Sequence, residues 1–204
     1  MENALVIFVR NLEKGKVKKR LAKDIGDDKS LEVYKHLLQY TKDITVSCKC
    51  NLFVFYSHYL HISDVFDDHL FSKHIQEGND LGERMMNALK KVFNLGCGKV
   101  CIIGSDCYEL QTEILNEAFE KLHQNDVVIG PSIDGGYYLL GMKKLFPDFF
   151  INKDWGNSTV LDDTVENINQ LGLTFSELDV LNDIDTIEDL LETNILTKLE
   201  EETQ

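Results

Sequence analysis

The sequence predicts an α/β fold: one domain, with a mainly parallel sheet sandwiched between helices. Short apolar runs rich in Val, Ile and Phe recur along the chain, amphipathic segments of helical period separate them, and several runs end in loops carrying Gly, Asp or Ser. At 204 residues and 43% hydrophobic content there is apolar mass for one sizeable core, and the chain is somewhat long for one but short for two.

Residues 4–9, Ala-Leu-Val-Ile-Phe-Val, form a branched apolar run that ends in polar residues, the pattern of a buried first strand. A basic loop, residues 10–20, follows it. Leu31, Tyr34, Leu37 and Leu38 stand at helical spacing in residues 30–40, and residues 52–56 read as a second strand. Residues 81–93 form a helix with Met85, Leu89, Val92 and Phe93 on one side, a stripe that belongs to a core rather than to a cofactor. Residues 100–103 are the next strand, residues 112–122 its helix, and residues 126–130 a strand stopped by Pro131. Residues 137–141 add a strand, while residues 158–171 and 186–199 supply late helices. The domain is expected to span residues 1–199, with residues 200–204 as a solvated acidic tail.

A net charge of −14 argues against a nucleic-acid or anionic-membrane partner, because either requires a positive footprint. Any phosphate must then be met locally, by a few basic groups, backbone amides or a metal. No apolar stretch approaches membrane-spanning length, and residues 1–9 lack the basic start and small-residue cleavage site of a secretory signal, so a cytoplasmic location is expected. The cysteines Cys48, Cys50, Cys97, Cys101 and Cys107 are then read as reduced thiols. Cys48-Lys49-Cys50 lacks a second Cys/His pair at zinc-binding distance, and Cys107 lacks a base assigned by spacing. His58, His61, His69 and His74 read as surface or partly packed residues.

Asp106, in Ile103-Gly104-Ser105-Asp106-Cys107, follows the third apolar run, where an open α/β sheet forms its ligand crevice. A carboxylate there either caps the helix beginning near Glu109 or holds a divalent cation. The basic loop concentrates Arg10, Lys14, Gly15, Lys16, Lys18, Lys19 and Arg20 after the first strand, which suits an anionic ligand. Gly15 lets backbone approach a phosphate, while Lys18 and Arg20 neutralise it as a point charge and a fork. The Gly-Lys-Ser/Thr ending of a P-loop is absent. Asp80 and Glu83 are spaced as a capping box, yet Gly82 between them disfavours helix by about 1 kcal/mol, which a close approach of ligand or neighbouring strand would explain. Asp134-Gly135-Gly136 forms a second acidic loop, read either as a tight turn or as a ligand contact. Asp183 and Asp185 point the same way if extended; Asp185 alone is explicable as a cap for a helix starting at Thr186. With Asp106 they would make an oxygen-ligand site suited to Mg²⁺ or Mn²⁺.

Together the segments resemble a family of small bacterial GT-A-like proteins, usually described as glycosyltransferases and related to the 2-phospholactate and molybdenum-cofactor guanylyltransferases. The resemblance rests on Gly15-Lys16-Val17-Lys18-Lys19-Arg20-Leu21, residues 78–85, residues 103–107, Gly130-Pro131, residues 134–141, Trp155 with Ser158-Thr159-Val160-Leu161, and residues 183–190. It implies a nucleotide-diphospho-sugar-transferase-like fold with a divalent cation joining nucleotide phosphates to carboxylates. Arg10, Gly15, Lys18 and Arg20 would meet phosphate, with Asp80 and Gly82 near the nucleotide. Asp106, Asp183 and Asp185 would be metal ligands. Asp134, Gly135, Gly136, Trp155 and Ser158 would line the acceptor side, and Asp134 would orient or deprotonate the acceptor unless it serves the metal. The chain departs from the family where the first loop has Arg10-Asn11-Leu12-Glu13-Lys14 in place of a proline-bearing segment, and where Tyr108 replaces the proline after Asp-Cys.

The expected activity is glycosyl transfer from a nucleotide-activated small-molecule donor to a small-molecule acceptor. The alternatives are a guanylyltransferase-like nucleotidyltransferase acting on a phosphorylated small molecule and a non-catalytic nucleotide-binding module.

Overall fold

The computed structural model describes residues 2–61 and 63–201. Seven strands, β1 Asn3–Val9, β2 Asn51–Tyr56, β3 Phe71–Ile75, β4 Lys99–Ile103, β5 Val127–Pro131, β6 Tyr137–Met142 and β7 Phe175–Glu177, form one sheet of order β3-β2-β1-β4-β6-β5-β7. β1 runs parallel to β2 and β4, β2 to β3 and β5 to β7; β6 alone is antiparallel to its neighbours β4 and β5. The helices are α1 Lys19–Thr45, α2 Leu81–Asn94, α3 Thr112–Gln124, α4 Val160–Gln170, α5 Ile187–Leu191 and α6 Ile195–Glu201. Among the described residues no helix is long and apolar enough to cross a membrane.

Strand side chains alternate between faces, and the two faces of β1 are buried by different helices. Leu5, Ile7 and Val9 join Leu21, Tyr34 and Leu37 of α1 and Leu115 and Leu122 of α3. Ala4 and Val6 join Met85, Leu89 and Val92 of α2, Ile168 of α4 and the aromatic cluster Phe146, Phe149 and Phe150. Burial on both sides accounts for the unbroken apolar runs.

Four local differences from the sequence reading have physical causes. The helix over residues 30–40 is part of a longer one broken at Gly26, whose φ of 80° and ψ of 162° lie outside helical space. β3, to which the sequence reading assigns no element, lacks an apolar run because it is an edge strand, with Phe71 its only fully buried residue. β7, with three residues, is too short to carry a period. Residues 186–199 divide into α5 and α6 because the Thr193 hydroxyl accepts from Ile195 N (3.3 Å) and starts a new turn. Glu200 and Glu201 of the expected acidic tail belong to α6 or its end, whereas residues 202–204 lie outside the described residues.

Two rival explanations of the acidic residues are settled by where helices begin. α3 starts at Thr112 with Gln111 as its cap, so Asp106 caps nothing. Thr186 itself caps α5, in a reciprocal capping box with Asp189, which leaves Asp185 without a capping role.

Candidate functional site

The chain runs from β1 outward to β2 and β3, then returns to place β4 on the other side of β1. This reversal opens a crevice at the carboxyl ends of β1 and β4. A cavity of about 430 Å³ lies there, lined by Val9 and Arg10 at the end of β1, Ile103 to Asp106 at the end of β4, and Asp134, Trp155 and Asp183 from later loops.

Asp183 arrives by backbone pairing. Ile184 N donates to Asp106 O (3.0 Å), while Leu181 N donates to Pro131 O and Ile133 N to Leu181 O (3.1 Å each). The segment is thus stitched between the loops after β4 and β5, and Asp106, Asp134 and Asp183 share one acidic wall. The Asp183 carboxyl is pushed up to about 7, first by burial and then by the negative charge of Asp106; Asp134 adds to this, while Lys18 and the Ser132 hydroxyl oppose it. Among the described residues the buried side-chain polar atoms without a hydrogen-bond partner are Asp106 Oδ1 and Tyr137 Oη, both on cavity-lining residues. A buried carboxylate oxygen met only by the Lys18 ammonium, beside a second crowded carboxylate, fits a hard cation with oxygen ligands.

The expected three-carboxylate metal site is not assembled. Among the described residues no group of three or more His, Cys, Asp or Glu is placed to hold a metal ion. Lys18 occupies the space between the carboxylates: its Nζ, on a side chain 4% exposed, lies 2.6 Å from Asp106 Oδ1 and 3.4 Å from Asp185 Oδ1. The Asp106 contact is an ion pair outside hydrogen-bond angles, which is why Oδ1 also counts as lacking a hydrogen bond. Asp185 Oδ2 is also 3.3 Å from Arg20 Nη1, and Asp185 does not line the cavity. Electrostatics decide this, since crowded carboxylates take the nearest cations. Lys18 has φ 45°, a left-handed conformation unfavourable for a residue with a Cβ, and strain of this kind clusters at functional sites.

Two lysines of the basic loop are neutralised locally. Lys14 pairs with Asp28 (2.6 Å), Lys16 with Glu13 (2.5 Å), and Gly15, at φ 74°, faces Asp27. Gly15 therefore does not reach the cavity. Arg10 does, and so does Arg84 of α2, whose Nε donates to Gly78 O (3.1 Å); neither arginine has a carboxylate partner among the described residues.

Asp80 and Gly82 serve the protein rather than the cavity. Asp80 Oδ1 accepts from Glu83 N (2.8 Å) as the α2 cap. A Cβ on Gly82 would stand 2.2 Å from Phe150 O and 2.5 Å from Trp155 Nε1, so this glycine lets the loop carrying Trp155 lie on α2. Gly135, at φ 87°, is similarly pressed on the Ser158 backbone, and its carbonyl accepts from Leu161 N (3.0 Å). Neither Gly135 nor Ser158 lines the cavity; Gly136 and Trp155 do. Asp134 is exposed; its Oδ1 accepts from Gly136 N (2.9 Å), and its Oδ2 has no hydrogen-bond partner among the described residues.

The two family departures are compensated by hydrogen bonds. Asn11, 3% exposed, clamps residues 57–59: its Oδ1 accepts from Ser57 Oγ (3.1 Å) and His58 N (2.9 Å), and its Nδ2 donates to Tyr59 O (2.8 Å). Tyr108 packs on Tyr40, with ring centroids 4.5 Å apart, and its hydroxyl accepts from Lys198 Nζ (2.8 Å).

Sequence reading missed Arg84, Ser57, His58 and Gln76 as cavity residues. Arg84 carried a usable signal, being one of only three arginines and lying in a motif; the others lie in unremarkable polar sequence. His58 is exposed, as a surface residue should be, and also lines the cavity, because β2 ends beside β1.

The raised carboxyl of Asp183 has a stability consequence. An unfolded Asp titrates near 3.9. Between roughly pH 4 and 7 the folded protein therefore binds a proton that the unfolded chain does not, so stability falls as pH rises through that window. The thermal midpoint is expected to fall from pH 5 to pH 8, and Asp183→Asn to flatten that slope; equal slopes would remove Asp183 as its source.

Residues 45–157 match the family model described as "Uncharacterized protein conserved in bacteria (DUF2064)". A protein of Desulfovibrio desulfuricans G20, described as a candidate nucleotide-diphospho-sugar transferase, is 34% identical, with 96% of this chain and 87% of that one covered at a TM-score of 0.87. A cytidylyltransferase from Leptospira borgpetersenii serovar Hardjo-bovis is 16% identical (93% and 84% covered, TM-score 0.58). Rv0371C of Mycobacterium tuberculosis H37Rv, solved as a manganese complex, is 11% identical (94% and 97% covered, TM-score 0.53). These last two share the fold. No curated protein matches. With a family model matching more than half of it and a close structural relative along nearly its whole length, the chain belongs to the DUF2064 family.

Proposed function

We propose that this chain is a transferase acting on a nucleotide-activated donor with a divalent cation, Mg²⁺ or Mn²⁺, and that the transferred group is a sugar. The observation that carries the reading is one cavity, at the sheet's switch point, with Asp106, Asp134 and Asp183 on one wall and two carboxylate-free arginines lining it. The 34% identical relative, described as a candidate nucleotide-diphospho-sugar transferase, supports it.

Asp106 and Asp183 would hold the cation, which when bound neutralises charge on a departing diphosphate. Lys18 is the residue that changes partner: once Asp106 Oδ1 is engaged elsewhere, its ammonium is free to meet phosphate oxygens, with Arg20 and Arg10 beside the same loop. Asp134, with Oδ2 free, takes the proton from the acceptor hydroxyl as its oxygen bonds to the anomeric carbon; the bond from that carbon to the diphosphate breaks, releasing a nucleoside diphosphate. Trp155 supplies an apolar wall for the acceptor.

Arg84 favours a second reading. A guanidinium with no carboxylate partner also suits a phosphorylated acceptor attacking a nucleoside triphosphate.

Thermal denaturation with Mg²⁺ or Mn²⁺ and saturating nucleotides tests both. A ligand at one hundred times its Kd stabilises by about 2.7 kcal/mol. Stronger stabilisation by a diphospho-sugar supports glycosyl transfer, and pyrophosphate release with a phosphorylated acceptor supports the second reading. Absence of cation-dependent stabilisation by any nucleotide would sink both.

A further inference from the structure

We infer that the cavity wall formed by Ser57, His58 and Gln76 selects nucleotides whose base carries an exocyclic amino group and rejects uracil and thymine. The inference rests on the nucleotide chemistry proposed above. β2 and β3 are parallel with Tyr56 opposite Ile75, so Ser57 and Gln76 leave the sheet side by side, and Gln76 N donates to Tyr56 O (2.9 Å). Ser57, His58 and Gln76 all line the cavity.

Around this wall the hydrogen bonds leave two acceptors without a donor among the described residues. The Asn11 oxygen is identified by the main-chain donor His58 N (2.9 Å). Its contact with Ser57 Oγ (3.1 Å) therefore consumes the single hydroxyl proton, while Ser57 Oγ accepts from Asn11 N (3.2 Å). The remaining contact, Ser57 Oγ to His58 Nδ1 at 2.8 Å, then requires the proton on Nδ1. In the neutral ring that leaves the Nε2 lone pair as an acceptor. Gln76 spends its amide hydrogens on Val9 O (3.2 Å) and Phe55 O (2.9 Å), since reversing the amide would set oxygen against two carbonyls. Its Oε1 is left as the second acceptor.

Two acceptors on residues lining one cavity require hydrogens from the ligand. An exocyclic amino group, as on adenine, cytosine or guanine, supplies two, and guanine adds a ring N–H. Uracil and thymine offer one N–H flanked by two carbonyl oxygens, which would leave an acceptor unpaired and oppose like dipoles.

Calorimetric titration of the full chain with Mg²⁺ and ADP, CDP, GDP, UDP or dTDP tests this. At least one of the first three is expected to bind about tenfold or more tightly than both UDP and dTDP, the worth of about one hydrogen bond. UDP or dTDP binding as tightly as the best of the others would overturn the inference and leave the transferase reading standing. Binding of none would overturn that reading, and the inference with it. His58→Lys, at an exposed position, exchanges the acceptor for a donor and is expected to shrink the ratio to about threefold or less at an unchanged thermal midpoint. An unchanged ratio would overturn the assignment of an acceptor to His58.

Discussion

Asp106→Asn is expected to abolish cation-dependent stabilisation by nucleotide and to lower transfer activity by about two orders of magnitude or more, while the fold persists. The side chain is 41% exposed and caps no helix, and Lys18 keeps Asp185 as an ion-pair partner, so the fold tolerates loss of the charge. Its main-chain carbonyl continues to accept from Ile184 N, so Asp183 stays in place. The variant thereby removes one carboxylate charge without dismantling the wall. Removing it also relieves the like charge that raises the Asp183 carboxyl, so the pH slope of stability should lessen in the same variant. Titration with Mg²⁺ and a nucleoside diphosphate, followed by thermal midpoint, reads both effects. Wild-type cation response in Asp106→Asn would take Asp106 out of the proposed site.

Lys73→Met is expected to cost about 3 kcal/mol, a fall of roughly 6 to 12 °C in Tm. Lys73 Nζ sits 3.0 Å from Asp64 Oδ1, with side chains 10% and 8% exposed. The Tyr56 hydroxyl donates to the other Asp64 oxygen, and Lys73 also donates to His61 O (3.3 Å). Burial, reinforced by Asp64, raises the Tyr56 phenol well above its ordinary value, so it stays a donor and cannot replace the lost positive charge. The variant leaves a nearly buried carboxylate uncompensated. Because this network anchors the loop that follows Ser57 and His58, nucleotide affinity should weaken along with stability. Asp68→Ala is the control: Asp68 pairs with the same lysine at 2.7 Å but is 69% exposed, and its loss should cost under about 1 kcal/mol. Urea denaturation of the two variants separates them, and a Lys73→Met loss no larger than that of the control would show that the buried pair adds nothing.

The fold was legible because its strands are continuous apolar runs buried on both faces. β1, β2, β4, β5 and β6 and helices α2, α3 and α4 stand within a few residues of their expected bounds. β3 and β7 escaped notice because an edge strand needs little apolar pattern and a three-residue strand has none to show. The carboxylates Asp106, Asp134 and Asp183 were legible for a related reason, each lying in a loop at an end of the sheet where a ligand crevice is expected.

Their partners were not. Capping for Asp106 and Asp185 was an equal local explanation in the sequence, and only the starts of α3 and α5 removed it. Gly82 admitted either a ligand or a neighbouring strand; a loop decides it, with Phe150 O and Trp155, some seventy residues away in the chain, lying against it. Lys18 and Asp185, 167 residues apart, were assigned to phosphate and metal by motif, yet they lie within an ion-pair contact of each other. Composition and period determined the layers, the strand ends and the supply of charge, because those are properties of neighbouring residues. Which charge meets which, and which polar atoms remain free to meet a ligand, was decided by tertiary structure, because electrostatic and hydrogen-bond pairing depends on distance in space rather than along the chain.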